Sequence, residues 1–330
     1  MVPKEFYKGK KILITGGLGM IGSALAIKLV KLGAEITILD AELPRYGGNH
    51  FNISPVKDKI EYIKGDIRDP AVVDFLVVEK DVIFNLAGQV DYNYSLKDPF
   101  LDNDINCKGH LVVLEACRKY NPDTKIIHAG SRMQYGKIIS NPVTEDHPTI
   151  PLSIYGVHKL AAEKYYLAYN QHYGLKTICF RFTNPYGIRS QMKHSNYSIV
   201  NWFIRQAIEG KEIPIFGDGE QTRDYIFVGD AADALIVSAA TDKTTGKIYN
   251  LGCGRPTKFI DMVKTVIKVS KSGRLVKKEW PKHWQNVETG GFYADISRLK
   301  ADTGWSPTHS LEEGVSKTVK YYKKYWKYYW

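Results

Sequence analysis

Short apolar runs of strand length recur through the first half of the chain, separated by longer stretches whose apolar residues fall three or four apart. Lys11–Thr15, Ile36–Asp40, Ile60–Lys64, Val82–Leu86, Lys125–His128 and Thr177–Phe182 carry the pattern of buried strands. Ile21–Leu32, Ala71–Val78, Lys108–Tyr120 and Tyr155–Tyr173 carry the helical one. This strand–helix–strand order predicts a parallel sheet covered by helices on both faces, an α/β fold of the Rossmann, doubly wound type. After about residue 183 the pattern changes, and loops at Asn184–Ser198 and Gly217–Arg223 break up shorter elements. Lys247–Leu251 is apolar enough to return to the main sheet. The expected division is a first domain over 1–183, with 222–252 returning to it, and a smaller α/β lobe over 184–330 interleaved with it. Ser310 and Glu313 form a capping box that opens an amphipathic helix through Leu311, Val315, Val319 and Tyr322.

Composition excludes several classes. With 44% hydrophobic and 25% charged residues, the 330-residue chain reads as a globular protein. No run approaches the roughly 18 apolar residues of a membrane span. The first strand begins within about ten residues of Met1 without a signal-peptide pattern, so a cytoplasmic location is expected. Cys107, Cys117, Cys179 and Cys253 form no CxxC pair, which argues against a zinc site or a disulfide framework. The nine histidines do not fall at metal-ligand spacings, so no catalytic metal is expected, and His158 reads as a helix-face residue. Of the net charge of +11, Lys317–Trp330 supplies five lysines and no acid. Elsewhere no basic stripe with interleaved aromatics appears, so nucleic acid is not an expected partner, and diffuse positive charge suits a polyanionic small substrate. The Lys/Tyr/Trp tail is expected to pack its aromatic face on the body or a partner, leave its lysines in water and make no membrane contact.

Lys11–Gly22 reads KILITGGLGMIG, a strand running into Gly16, Gly19 and Gly22 and then a helix. Glycines so placed permit a tight turn and let backbone amides approach a pyrophosphate at the helix N-terminus. Asp40 ends the next strand, 18 residues beyond Gly22. An acid there accepts bonds from the adenosine ribose hydroxyls and repels a 2′-phosphate, which favours NAD over NADP. Arg45, close by in sequence, softens that preference without reversing it.

Ser153–Glu163 reads SIYGVHKLAAE, with Tyr155 and Lys159 at i and i+4 on one helix face. Tyrosine is a poor base at its ordinary pKa of about 10, and a neighbouring ammonium stabilises the phenolate. Ser131, at a strand end, offers a third polar group. The combination, more than the pair, points to alcohol–ketone chemistry on a nicotinamide.

These motifs, together with Gly65-Asp66-Ile67, Asn85–Gln89, Tyr135-Gly136, Arg181–Gly187 (RFTNPYG), Ile215–Asp230 (IFGDGEQTRDYIFVGD) and Tyr293–Asp295 (YAD), resemble the extended short-chain dehydrogenases that act on nucleotide sugars. The resemblance covers nearly the whole chain and makes 1–183 the NAD-binding domain and 184–330 the nucleotide-sugar lobe. It implies that Tyr155 takes the proton of a sugar hydroxyl while hydride passes to NAD. Lys159 would also hold the nicotinamide ribose, and Ser131 would bond the reacting oxygen. By the same resemblance Gly16, Gly19, Met20, Ile21, Gly22, Asp40, Asp66, Ile67, Leu86, Ala87 and Gly88 hold the cofactor. Gln89, Ser131, Arg132, Asn184, Phe216, Arg223 and Phe292 face the substrate. Asn184 and Arg223 lie on its diphosphate side, Phe216 against the nucleobase. Relatives commonly form homodimers, here through Asn106–Tyr120 and Tyr155–Tyr173.

Related 4,6-dehydratases carry Asp and Glu directly after the Ser/Thr, and decarboxylases a Glu two places on. Here those places hold Arg132 and Met133, which cannot do acid–base work. The cysteine of two-carbon epimerases is absent too. The leading expectation is therefore a nucleotide-sugar 4-epimerase working through a transient 4-keto sugar. A 4-ketosugar reductase is the alternative, and a non-catalytic NAD-binding protein a third reading. Three departures stand out. His128-Ala129-Gly130 replaces a serine-rich stretch, and Arg132 can read a substrate carboxylate and hence a uronic acid if it faces the pocket. No arginine precedes YAD in Gln285–Phe292 (QNVETGGF), where bulky Phe292 favours a plain hexose.

Overall fold

The computed structural model describes residues 3–44, 47–279 and 289–330. Arg45 and Gln285–Glu288 of the stretch before YAD lie outside them. Seven parallel strands make the central sheet: β1 (Lys11–Thr15), β2 (Glu35–Asp40), β3 (Ile60–Lys64), β4 (Val82–Asn85), β5 (Lys125–Ser131), β6 (Lys176–Phe182) and β7 (Lys247–Leu251). Their spatial order is β7-β6-β5-β4-β1-β2-β3. After β3 the chain crosses back to place β4 against the other side of β1, so the direction of winding reverses between them. Such a switch point opens a crevice at the carboxyl ends of the two strands.

Side chains alternate across β1. Ile12 and Ile14 enter one apolar core, Leu13 the other. The first core is covered by α1 (Met20–Lys31), and the second by α2 (Pro70–Val77), α3 (Gly109–Tyr120) and α4 (Ile154–Tyr173). Of the sequence boundaries, two shift with consequence. β5 runs on to Ser131, because its pairing with β6 continues through Ser131↔Phe182. The helical run expected from Lys108 starts regular only at Gly109, after a π-helical turn at Asp104–Lys108. π turns often mark functional positions, and this one directs Asn106 at the backbone of Gln89.

The second half adds α5 (Ile199–Ile208), α6 (Val228–Ala239), α7 (Phe259–Ser270) and α8 (Leu311–Tyr325). α6 returns to pack on α1, and β7 joins the main sheet beside β6. α5, α7 and α8 pack together over two parallel strands, Glu212–Phe216 and Arg274–Lys278. One continuous core joins residues of both halves, from Ile12 to Tyr329. The Ser310–Glu313 capping box is formed, and Val315, Val319 and Tyr322 are buried. Among the described residues no helix is long and apolar enough to cross a membrane.

Candidate active site

The cleft opens at the β1/β4 switch point. Gly16 sits at φ +67°, and a Cβ there would stand 3.0 Å from the backbone of Ala87. A Cβ on Gly22 would lie 2.4 Å from the Gly16 carbonyl. The strand, the loop and α1 therefore approach more closely than any side chain allows. Gly19 caps α1 without a side chain, and Ser23 is the first residue whose amide returns to it. The amides of Met20, Ile21 and Gly22 are left at the open helix start, where a phosphate is favoured. Asp40 takes bonds from the Leu18 and Glu42 amides, both at 3.0 Å. Burial raises its pKa, against the pull of those bonds. Asp66 and Ile67, expected beside the adenine, also line the cleft, with the Asp66 carboxylate held by Arg68. Thr15 Oγ1 accepts the amides of Leu86 and Ala87, each at 3.1 Å, and so fixes the shelf that Gly88 continues. This cradle fits a dinucleotide.

Tyr155 and Lys159, one turn apart on α4, meet Ser131 at the end of β5. Tyr155 is 7% exposed, and burial holds its phenol above the usual range, while the Ser131 side chain pulls it down and Asp102 pushes it up. Lys159 is 4% exposed and donates to the Ala129 carbonyl at 3.1 Å. Burial lowers its pKa to about 8, with Asp102 opposing. The unfolded lysine titrates near 10.4, so the unfolded chain binds the proton more tightly. Stability from this group is therefore lowest below pH 8 and rises as pH climbs from about 8 towards 10.5. Lys159→Met is accordingly expected to stabilise the NAD-free protein at pH 7 by roughly 1–3 kcal/mol while destroying activity. Urea unfolding at pH 7 and pH 10 checks this, and a variant less stable than its parent at pH 7 contradicts it.

Arg132 and Asn184 also line the cleft. Arg132 lies over the Phe292 ring at 5.4 Å, with one nitrogen 3.1 Å from Thr289 Oγ1. Asn184 donates to the Asp224 carbonyl. Four expected substrate residues sit outside the lining. Gln89 is fully buried, its amide donating to the Asp91 carbonyl and to Asp102, both at 2.7 Å. Phe292 is fully buried in a small core with Tyr135 and Val143. Arg223 is buried and donates to the carbonyls of Thr222 and Gly290. Phe216 ends the strand Glu212–Phe216 and is not among the cleft-lining residues. His158, expected as a helix-face residue, bonds buried Asp102 at 2.6 Å. His128, one of the departures, is buried against the Tyr166 ring, 4.6 Å between centroids, and is kept neutral by desolvation and by nearby His110 and Lys159.

Sequence reasoning missed a stretch of the lining, Ser190, Gln191, Asn196 and Tyr197. It also missed Asn106, which clasps the Gln89 backbone in both directions at 3.1 and 2.8 Å. No local motif marks the stretch. The π turn carrying Asn106 is invisible to a helical periodicity.

A glycine cradle at a switch point, an acid at the end of β2 and a Tyr–Lys–Ser centre together define a dinucleotide-dependent α/β enzyme. The chain belongs to the NAD dependent epimerase/dehydratase family, whose family model matches residues 12–252. It is 33% identical to a putative UDP-glucose 4-epimerase of Methanocaldococcus jannaschii, over 94% of this chain and 98% of the relative. Among solved structures it resembles the UDP-glucose 4-epimerase of Thermotoga maritima with UDP-glucose, at TM-score 0.87 and 30% identity, covering 96% of this chain and 99% of that one. The Thermus thermophilus UDP-glucose 4-epimerase in complex with NAD is similar at TM-score 0.83 and 27% identity, covering 95% and 99%. The cofactor of this chain is NAD.

Proposed function

We propose that the protein is an NAD-dependent nucleotide-sugar 4-epimerase, acting on UDP-glucose/UDP-galactose or a related hexose or uronic acid. One observation carries the reading. Among the described residues lining the cleft, the only carboxylates are Asp40 and Asp66, both at the adenosine end. Where elimination or decarboxylation would need an acid, Arg132 and Met133 stand. Reversible oxidation at one carbon needs only a base, a cation and a hydroxyl, which Tyr155, Lys159 and Ser131 supply. Bound NAD supplies the hydride acceptor and donor. Ser131 holds the reacting oxygen, Tyr155 takes and returns its proton, and Lys159 favours the phenolate by its charge. Asn184 orients the diphosphate side, and the transient 4-keto sugar needs room to present its other face. A homodimer in the cytoplasm belongs to the same reading; its interface is supported by Tyr120 on α3 and Val157, Tyr165 and Tyr173 on α4, all exposed.

The test incubates NAD-loaded protein with UDP-glucose, UDP-galactose and the matching uronates, without added cofactor, and follows the C4 epimers by NMR. Interconversion of one pair is expected. No interconversion of any pair, with oxidation of added NADH by a keto sugar, would replace this reading by a reductase. Arg132→Met sorts the sugar. If the substrate is a uronate, kcat/KM is expected to fall about a hundredfold, the scale of one lost charge-assisted contact of roughly 2–3 kcal/mol. On a neutral hexose it should change by less than about threefold.

A further inference from the structure

The C-terminal aromatic tail, which the chemistry above does not use, closes on the cofactor cradle. Beyond α8 the chain makes one tight turn, Trp326–Tyr328. Tyr328 stacks face to face on Phe51, with centroids 3.7 Å apart and planes at 6°. Its carbonyl accepts from the Asn49 side chain at 2.9 Å. Tyr329, only 1% exposed, donates its hydroxyl proton to Asn52 Oδ1 at 2.6 Å. Asn52 is itself fully buried, and its amide nitrogen donates to the Leu18 carbonyl at 2.7 Å and to the Arg189 carbonyl at 2.9 Å.

Leu18 lies within the glycine loop, and its amide is the one that bonds Asp40. Leu18 is thus held at both of its backbone polar groups, its N–H by Asp40 and its carbonyl by Asn52. Arg189 precedes Ser190 and Gln191, which also line the cleft. One buried amide therefore ties the glycine loop to the segment that leads into them. An amide group has one acceptor and two donors, and its oxygen and nitrogen exchange places on a flip. The two carbonyls, which can only accept, fix the orientation of the amide, and the Tyr329 hydroxyl satisfies the buried Oδ1 that this orientation leaves facing the tail. From the same tail, Tyr322 grips Ser190 directly: its hydroxyl accepts from the Ser190 amide and meets the Ser190 carbonyl, both at 2.8 Å.

We propose that Tyr329 is a positioning residue for NAD, acting through Asn52 to set the glycine loop and its distance from the Arg189–Gln191 segment. The protein's hold on NAD then depends on a hydroxyl 277 residues beyond Asn52. The proposal concerns NAD alone and stands whichever sugar is turned over.

The test uses the full-length protein stripped of NAD and titrated with NAD by calorimetry. Tyr329→Phe keeps the ring and removes only the hydroxyl. It is expected to weaken NAD binding about tenfold, a scale of one lost hydrogen bond. The NAD-free melting temperature should stay within about 2 °C of the parent, and kcat at saturating NAD within about twofold. Tyr325→Phe, whose ring also meets Phe51, serves as the control and should bind NAD as the parent does. Unchanged affinity in Tyr329→Phe, an equal loss in the control, or a loss that tracks a fall in the NAD-free melting temperature would each overturn the proposal. Should Tyr329→Phe not fold, Phe51→Leu removes the ring that packs edge-on against Tyr329, 6.0 Å between centroids. Parent-like NAD affinity there would overturn it as well.

Discussion

Tyr155→Phe is expected to lower kcat for sugar turnover about a thousandfold, within the 10²–10⁴ range of a lost general base, while the protein still binds NAD. In the proposed mechanism the phenol, bonded to the Ser131 side chain, takes the sugar proton only as far as its surroundings favour the phenolate. Burial and the Asp102 carboxylate oppose ionisation; the Ser131 bond favours it. The Lys159 ammonium, one helical turn away, adds its charge to the favourable side. A phenyl ring keeps the volume of the side chain, so neither the cradle nor the packing of α4 should change. Stopped assays on NAD-loaded protein read the rate, and mass spectrometry of the intact complex reads NAD content. A variant that turned over within tenfold of the parent would remove Tyr155 from the centre of the mechanism. Loss of NAD together with activity would mean that the effect was structural.

Arg181→Ala is expected to destabilise the fold by about 3–5 kcal/mol, the cost of leaving a buried carboxylate without its partner. Against a total of roughly 5–15 kcal/mol for a folded domain, that is enough to leave little native protein on mild heating. Arg181 and Glu163 are 2% and 1% exposed at their side chains and meet through two bonds, at 2.8 and 2.7 Å. The guanidinium also bonds the Glu145 carbonyl and lies over the Tyr135 ring at 4.7 Å. Glu163 sits on the helix that carries Tyr155 and Lys159. Its carboxylate also accepts from Gln134, whose own oxygen accepts from the Ser131 amide at 2.7 Å. The buried pair therefore holds Ser131 in register with Tyr155 and Lys159, the two residues proposed to act with it. Urea unfolding of parent and variant measures the loss. A change below about 1 kcal/mol would show that water or a rearranged neighbour compensates the exposed Glu163 charge.

Much of this arrangement was legible before any coordinates. The seven strands follow from apolar runs, because a strand buried on both faces must be apolar throughout. The glycine positions follow from contacts too close for a Cβ, and Tyr155 with Lys159 from helical spacing. The less legible part lies where side chains choose between cleft and core. Gln89, Arg223 and Phe292 belong to motifs associated with substrate, yet they are buried, Gln89 and Arg223 bonded to buried acceptors and Phe292 packed in a small core. A motif places a residue in the chain, and the neighbours that compete for its polar atoms come from segments far away in sequence.

The chain by itself determined the parallel sheet, the dinucleotide cradle, the Tyr–Lys–Ser centre and the absence of acids after Ser131. Each is encoded by residues close together in sequence, through periodicity, a turn or a helical repeat. Only the tertiary structure decided that Arg132 lines the cleft, that Ser190, Gln191, Asn196 and Tyr197 join its lining and that Tyr329 reaches back to Asn52 beside the glycine loop. Those contacts join segments up to 277 residues apart. They depend on how helices and loops pack in three dimensions, which no local pattern records.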